Sequence, residues 1–202
     1  MYIVCLDLEG VLIPEIWINF AQATGIEELR LTTRDIPDYD VLMKKRLGIL
    51  AAHNLKLGDI QKVIGSMDPL EGAREFLDDL RSRTQVVILS DTFTQFARPM
   101  MEKLAWPTLF CNSLVVDDQD RVADYRLRQK DGKRKAVEGF QSMGFRVIAA
   151  GDSYNDLTMI RQAEKGILFC PPDNIVNENP DLPVARTYGQ FKEHLLRQLA
   201  ED

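Results

Sequence analysis

Five short apolar runs punctuate the chain: "YIVCLDL" near its start, "QVVILS" at 85–90, "TLFCNSL" at 108–114, "RVIAAG" at 146–151 and "GILFC" at 166–170. Each is too short for a helix and rich in β-branched residues, the pattern of parallel strands buried on both faces. Between them lie segments with apolar residues at helical spacing: "LEGAREFLDDLRS" from 70, "FTQFARPMMEKLA" from 93, "GKRKAVEGFQSMG" from 132 and "YNDLTMIRQAEKG" from 154. Such alternation predicts an α/β fold, a parallel sheet with helices on both faces. Pro99, inside the second helical pattern, is expected to kink that helix or mark its true start.

One segment breaks the alternation. About seventy residues separate the first two strand-like runs, far more than a single crossover needs. They hold "PEIWINFAQATG", with Pro14 as a first-turn residue, apolar positions 13, 16, 17, 20 and 21 on one face and Gly25 as a stop. "DYDVLMKKRLGILAAHN" and "GDIQKVIGSMDP" follow, each with an Asp at the expected N-cap. The spacing predicts a small helical insertion over 14–67, and a core made of 1–13 and 68–202. Residues 113–127 predict a β-hairpin closed through Asp118 to Asp120.

Composition limits the partners. The net charge is −6 and the basic residues are scattered, so no nucleic-acid groove is expected. No apolar run reaches membrane-spanning length and the start of the chain carries no leader pattern, so no membrane partner is expected either. Cys5, Cys111 and Cys170 each lie in a strand-like run without metal-ligand spacing, and are expected to be reduced core residues of a cytoplasmic protein.

Ligands of open α/β sheets bind where the strands end. Here the first run ends in Asp7 and Glu9, the second in Ser90, Asp91 and Thr92, and the fourth in Asp152, Asn155 and Asp156. Carboxylates gathered at one rim repel unless a cation lies among them, and Mg2+ suits oxygen ligands and a phosphate. Asp7, the backbone carbonyl of Glu9 and Asp152 are the candidate ligands, with Asp156 behind a bound water. The same rim could supply the parts of phosphoryl transfer: Asp7 as nucleophile, Glu9 as general acid and base, Ser90 as a hydrogen-bond donor to the phosphate, and a lysine of "GKRK" to neutralise it. Each fragment alone has a plainer explanation, since "SDT" and "GDSYND" also suit turns and helix caps. Their joint order argues for chemistry.

These residues resemble the motifs of the haloacid dehalogenase superfamily. "DLEGV" is similar to its first motif, "ILSDT" to its second and "GDSYND" to its fourth. Lys133 is the best match to the third, with Lys135 and Lys130 as alternatives. An insertion directly after the first motif resembles the phosphoserine phosphatase branch, in which a cap Glu and a cap Arg hold the amino acid part of the substrate. Glu15 and Arg46 match those positions, and Asp91 and Asn155 fall beside the phosphate. Glu9 in place of Asp, and Asp91 after Ser90, resemble the variant that also passes the phosphoryl group to homoserine. The resemblance thus implies an Mg2+-dependent enzyme acting on phosphoserine and homoserine; a homodimer is compatible with it. A phosphatase for a sugar phosphate or nucleotide is the alternative within the family. A phosphoacceptor signalling domain is the alternative outside it, disfavoured because the candidate nucleophile lies in the first strand and a cap follows it.

Overall fold

A computed structural model describes residues 1–33, 35, 36 and 38–199. It places seven strands in one sheet of order β4-β3-β2-β1-β5-β6-β7. They are β1 (Tyr2–Leu6), β2 (Gln85–Phe93), β3 (Thr108–Val116), β4 (Val122–Arg126), β5 (Arg146–Gly151), β6 (Lys165–Phe169) and β7 (Val184–Ala185). All neighbours pair in parallel except β3 with β4, the expected hairpin. The chain moves outward from β1 to β2 and β3, then returns to the other side of β1 as β5. That reversal opens a crevice at the carboxyl ends of β1 and β5.

Alternation along β1 divides the core. Tyr2, Val4 and Leu6 belong to one buried cluster with Phe76, Phe96 and Phe191; Ile3 and Cys5 belong to a second with Val137, Phe140 and Met159. Helices α4 (Ala73–Arg81), α5 (Thr94–Lys103) and α9 (Tyr188–Leu199) contribute to the first cluster. Helices α6 (Gly132–Ser142), α7 (Leu157–Gln162) and α8 (Asp173–Glu178) contribute to the second. Both faces are therefore covered, as continuous apolar strands require.

Between β1 and α4 run α1 (Ile16–Thr24), α2 (Tyr39–Ala52) and α3 (Leu57–Ser66). Ile13, Ile16, Trp17, Phe20 and Ala21 are buried, and α1 ends at Gly25 with φ of 70°, a conformation that glycine adopts without strain. Asp38 caps α2 by accepting from the Asp40 and Val41 amides. The β3–β4 hairpin reaches these helices: Asp120 accepts from Gly58 N at its carboxylate and from Leu57 N at its carbonyl, while Tyr125 Oη donates to Asp40 Oδ1 at 2.6 Å.

Several local expectations change. Helix α1 begins at Ile16, after Pro14, and Glu15 occupies its N-cap position. Helix α3 begins two residues before Asp59, which caps it from inside by accepting from Lys56 N at 3.0 Å. Pro99 neither starts nor ends α5, because the carbonyl it cannot serve, Gln95 O, accepts instead from Gln61 Nε2 of α3 at 2.9 Å. Cys5 is buried and its thiol pushed up to about 12 by burial, but Cys111 is half-buried and Cys170 exposed. Cys170 lies one residue beyond β6 with φ of 47°, at a strand end and outside the core. No helix among the described residues is long and apolar enough to cross a membrane.

Candidate active site

Asp7 directly follows β1, and its amide donates to Ala150 O of β5 at 2.9 Å, fixing it at the crevice between those strands. Asp152 follows β5 at once. Ser153 and Asp156 cap the single turn 154–156, and Asp156 Oδ2 accepts from the amides of Asp152 and Ser153 at 3.1 Å each. Gly151 makes this possible, since a Cβ there would lie 2.2 Å from Asp156 Cγ. The loop after β1 makes a similar concession: Gly10 has φ of 78°, and a Cβ on it would lie 2.6 Å from the Asp152 carboxyl group.

Carboxylate oxygens of Asp7, Asp152 and Asp156 lie within 4.8 Å of one another, and all three residues are buried. Lys133, in the first turn of α6, bridges two of them, with Nζ 2.8 Å from Asp7 Oδ1 and 2.6 Å from Asp156 Oδ1. Lys135 turns away and pairs with Glu138 on the surface. Burial holds the Asp7 carboxyl well above the usual range; Asp156 adds to this and Lys133 opposes it. Burial disfavours the Lys133 charge, yet Asp156, Asp7 and Asp91 outweigh it and hold the ammonium well above its ordinary value. Three buried acids against one buried ammonium leave excess negative charge, and an all-oxygen cluster with its wall shaved to bare Cα at Gly10 suits a hard divalent cation.

The strand-end segment Ser90 to Thr92 interrupts β2: its register against β3 shifts between Leu89 and Phe93. The shift turns side chains toward the rim, as bulges do. Asp91 Oδ2 accepts from Asn155 Nδ2 at 3.0 Å and lies 3.8 Å from Lys133 Nζ. Glu9 Oε2 accepts from Ile16 N, the first amide of α1, at 2.8 Å. Burial, reinforced by Glu15, pushes the Glu9 carboxyl up to about 7.

Asp7, Glu9, Ser90, Asp91, Lys133, Asp152 and Asn155 line one pocket of about 410 Å3, together with Glu15, Trp17, Tyr39 and Arg46. The Arg46 guanidinium stacks over the Trp17 ring, 4.5 Å from its centroid, and donates to Leu31 O at 2.8 Å; its Nε is buried without a hydrogen-bond partner among the described residues. Burial lowers Arg46 to about 10 against the pull of Tyr39, Glu9 and Glu15. The structure therefore brings Asp7, Glu9, Glu15, Arg46, Ser90, Asp91, Lys133, Asp152 and Asn155 to one cavity, with Asp156 immediately behind. Sequence reasoning missed Tyr39, whose only signal was its place after the Asp38 cap, and Asn112, which reads as a plain strand residue. Tyr39 Oη and Asn112 Nδ2 both donate to the Asp91 carbonyl.

Comparison with known proteins identifies relatives of the whole chain. The chain is 61% identical over 197 residues, 98% of its length and 96% of the relative's, to phosphoserine phosphatase ThrH of Pseudomonas aeruginosa. It is 60% identical over 195 residues, 96% of its length and 82% of the relative's, to a phosphoserine phosphatase of Pseudomonas syringae pv. tomato. A phosphoserine phosphatase solved as a phospho-aspartyl intermediate analogue superposes with a TM-score of 0.77 at 23% identity, covering 96% of this chain and 98% of that one, and so shows the same fold. The model of haloacid dehalogenase-like hydrolases matches residues 3–164. By this match and these relatives, the chain belongs to the haloacid dehalogenase-like hydrolase family.

Proposed function

We propose that the protein is a cytoplasmic phosphoserine phosphatase that forms an aspartyl-phosphate on Asp7 and can pass the phosphoryl group to homoserine as well as to water. The observation that carries this reading is the pocket that the buried Asp7–Lys133 pair, backed by Asp156, shares with Glu15 and Arg46. One end is built for a phosphoryl group, and the other offers an anion and a cation for a zwitterionic amino acid. The extent of identity to a phosphoserine phosphatase supports serine phosphate as donor, and Glu9 and Asp91, which resemble the phosphoryl-transferring variant, support homoserine as second acceptor. Residues 14–67 act as the cap that selects the substrate, and 1–13 with 68–202 as the catalytic core.

In the first half-reaction an Asp7 oxygen attacks phosphorus while the bond to the serine oxygen breaks, and Glu9 gives that oxygen its proton. Ser90 and Lys133 hold the phosphoryl oxygens in place. In the second, water or the homoserine hydroxyl yields a proton to Glu9 and attacks phosphorus, releasing Asp7. Asp7, the Glu9 backbone carbonyl and Asp152 would hold Mg2+, with Asp156 supporting a bound water, and the ion would screen the nucleophile from the phosphate's charge.

The test is a substrate panel with Mg2+ comparing phosphoserine, phosphothreonine, sugar phosphates and nucleotides, with and without homoserine. Preference for phosphoserine, phosphohomoserine formed in proportion to added homoserine, and loss of both on chelation are expected. A preference for sugar phosphates or nucleotides would overturn the substrate assignment, and the absence of phosphohomoserine would overturn the transfer.

A further inference from the structure

Two hydrogen bonds run in series through one peptide group from the insertion to the serine of the phosphate pocket. Tyr39, the first residue of α2, donates its hydroxyl to Asp91 O at 3.1 Å. The other end of that same peptide is the Thr92 amide, which donates to Ser90 Oγ at 3.2 Å. The carbonyl has two acceptor positions, and each is filled from a different part of the molecule. Asn112 Nδ2 donates to it at 3.1 Å from β3, within the sheet, whereas Tyr39 comes from the insertion. One donor thus belongs to the sheet and the other to the insertion.

The arrangement bears directly on Ser90. A donor on a peptide carbonyl polarises the peptide and strengthens its N–H as a donor in turn. The Thr92 N–H already takes one acceptor position on Ser90 Oγ, which leaves the serine proton to serve another acceptor in the pocket. Ser90 and Thr92 are largely buried, so their hydrogen bonding is set mainly by the protein. Tyr39 lines the pocket itself, and its ring packs edge-on against Tyr125 with centroids 5.8 Å apart. The ring's packing and the hydroxyl's bond are separable, because phenylalanine keeps the first and loses the second.

We propose that Tyr39 is a positioning residue for phosphoryl transfer, acting through the 91–92 peptide to orient the Ser90 hydroxyl when the insertion covers the site. This rests on the reading above that Ser90 donates to a phosphoryl oxygen. It ties the insertion to the phosphate pocket through a single peptide group.

The experiment is a double-mutant cycle read by rapid-quench formation of the aspartyl-phosphate from labelled phosphoserine, with wild type, Tyr39→Phe, Ser90→Ala and the double variant. Tyr39→Phe is expected to slow phosphorylation at saturating substrate about three- to tenfold, the worth of one hydrogen bond, with KM changed less than about twofold. In the Ser90→Ala background the same substitution should cost almost nothing further. Equal losses in both backgrounds, a change confined to KM, or no loss at all would overturn the proposal and leave Tyr39 a packing residue. If Ser90→Ala alone leaves phosphorylation unchanged, the reading of Ser90 fails, and the proposal falls with it for that separate reason. Thermal melts of all four proteins check that each is folded.

Discussion

Lys133 Nζ donates to Asp156 Oδ1 at 2.6 Å, and both side chains are buried. Asp7 accepts from the same ammonium, so the lysine is the counter-charge to two buried acids at once. Lys133→Met removes it while keeping the length of the side chain. The expected cost is about 3–5 kcal/mol of folding stability, because breaking one side of a buried pair leaves its partners uncompensated. Urea denaturation at neutral pH measures it; a loss under about 1 kcal/mol would mean that the acids simply take up protons instead.

Asp7→Asn should act in the opposite sense on stability. Asp7 sits among like charges, and burial already holds its carboxyl well above the usual range. Removing a repelling acid should leave the folded state as stable as wild type or more so, the common trade between activity and stability. Turnover of phosphoserine should fall by at least about a thousandfold, since the nucleophile is gone. Parallel melts and phosphate-release assays test the pair of effects together; retained turnover would remove Asp7 from the role of nucleophile.

Glu9 is long enough to reach the first amide of α1, and Ile16 N donates to it at 2.8 Å. Glu9→Asp withdraws the carboxyl by one methylene and breaks that tie between the proposed acid-base group and the insertion. With the tie lost, a bulky acceptor's hydroxyl is held less well than water, so the ratio of free phosphate to phosphohomoserine is expected to rise about three- to tenfold. Measuring both products from phosphoserine at fixed homoserine decides it. An unchanged ratio would show that the extra methylene has no part in choosing the acceptor.

Gln61 of α3 completes the hydrogen bonding of α5 where Pro99 cannot. Gln61→Ala should cost about 1–2 kcal/mol by stranding the half-buried Gln95 carbonyl. In a Pro99→Ala background the cost should shrink, because an alanine amide can serve that carbonyl from within the helix. Chemical denaturation of the four proteins gives the coupling directly. Equal costs in both backgrounds would mean that the glutamine contributes by packing alone.

The strands and their order of use were legible because a parallel sheet buried on both faces leaves continuous apolar runs, and "YIVCL" and "RVIAAG" are such runs. The rim followed from them, since polar residues at consecutive strand ends can only converge there. What periodicity could not settle was anything decided by a partner distant in sequence. Lys133 and Lys135 lie two positions apart on α6, and only the helix's seat against β5 shows which one faces Asp7. Cys170 sits at the end of an apolar run, yet the chain turns with positive φ there and exposes it. The two-residue β7 is too short to carry a pattern. Pro99 misled for the same reason: its penalty is real, but it is met by a side chain 34 residues away in sequence from the carbonyl concerned.

That glutamine also makes the insertion and the sheet domain a mated pair. A segment joined to the rest only at its two ends could be exchanged for another of different shape, and the new segment would bring its own specificity. Here the α5 helix carries a gap in its backbone bonding that Gln61 of the insertion fills. A chimera that replaces residues 14–67 inherits the gap without its filling, so the graft has to carry Pro99→Ala with it or start from a damaged core helix.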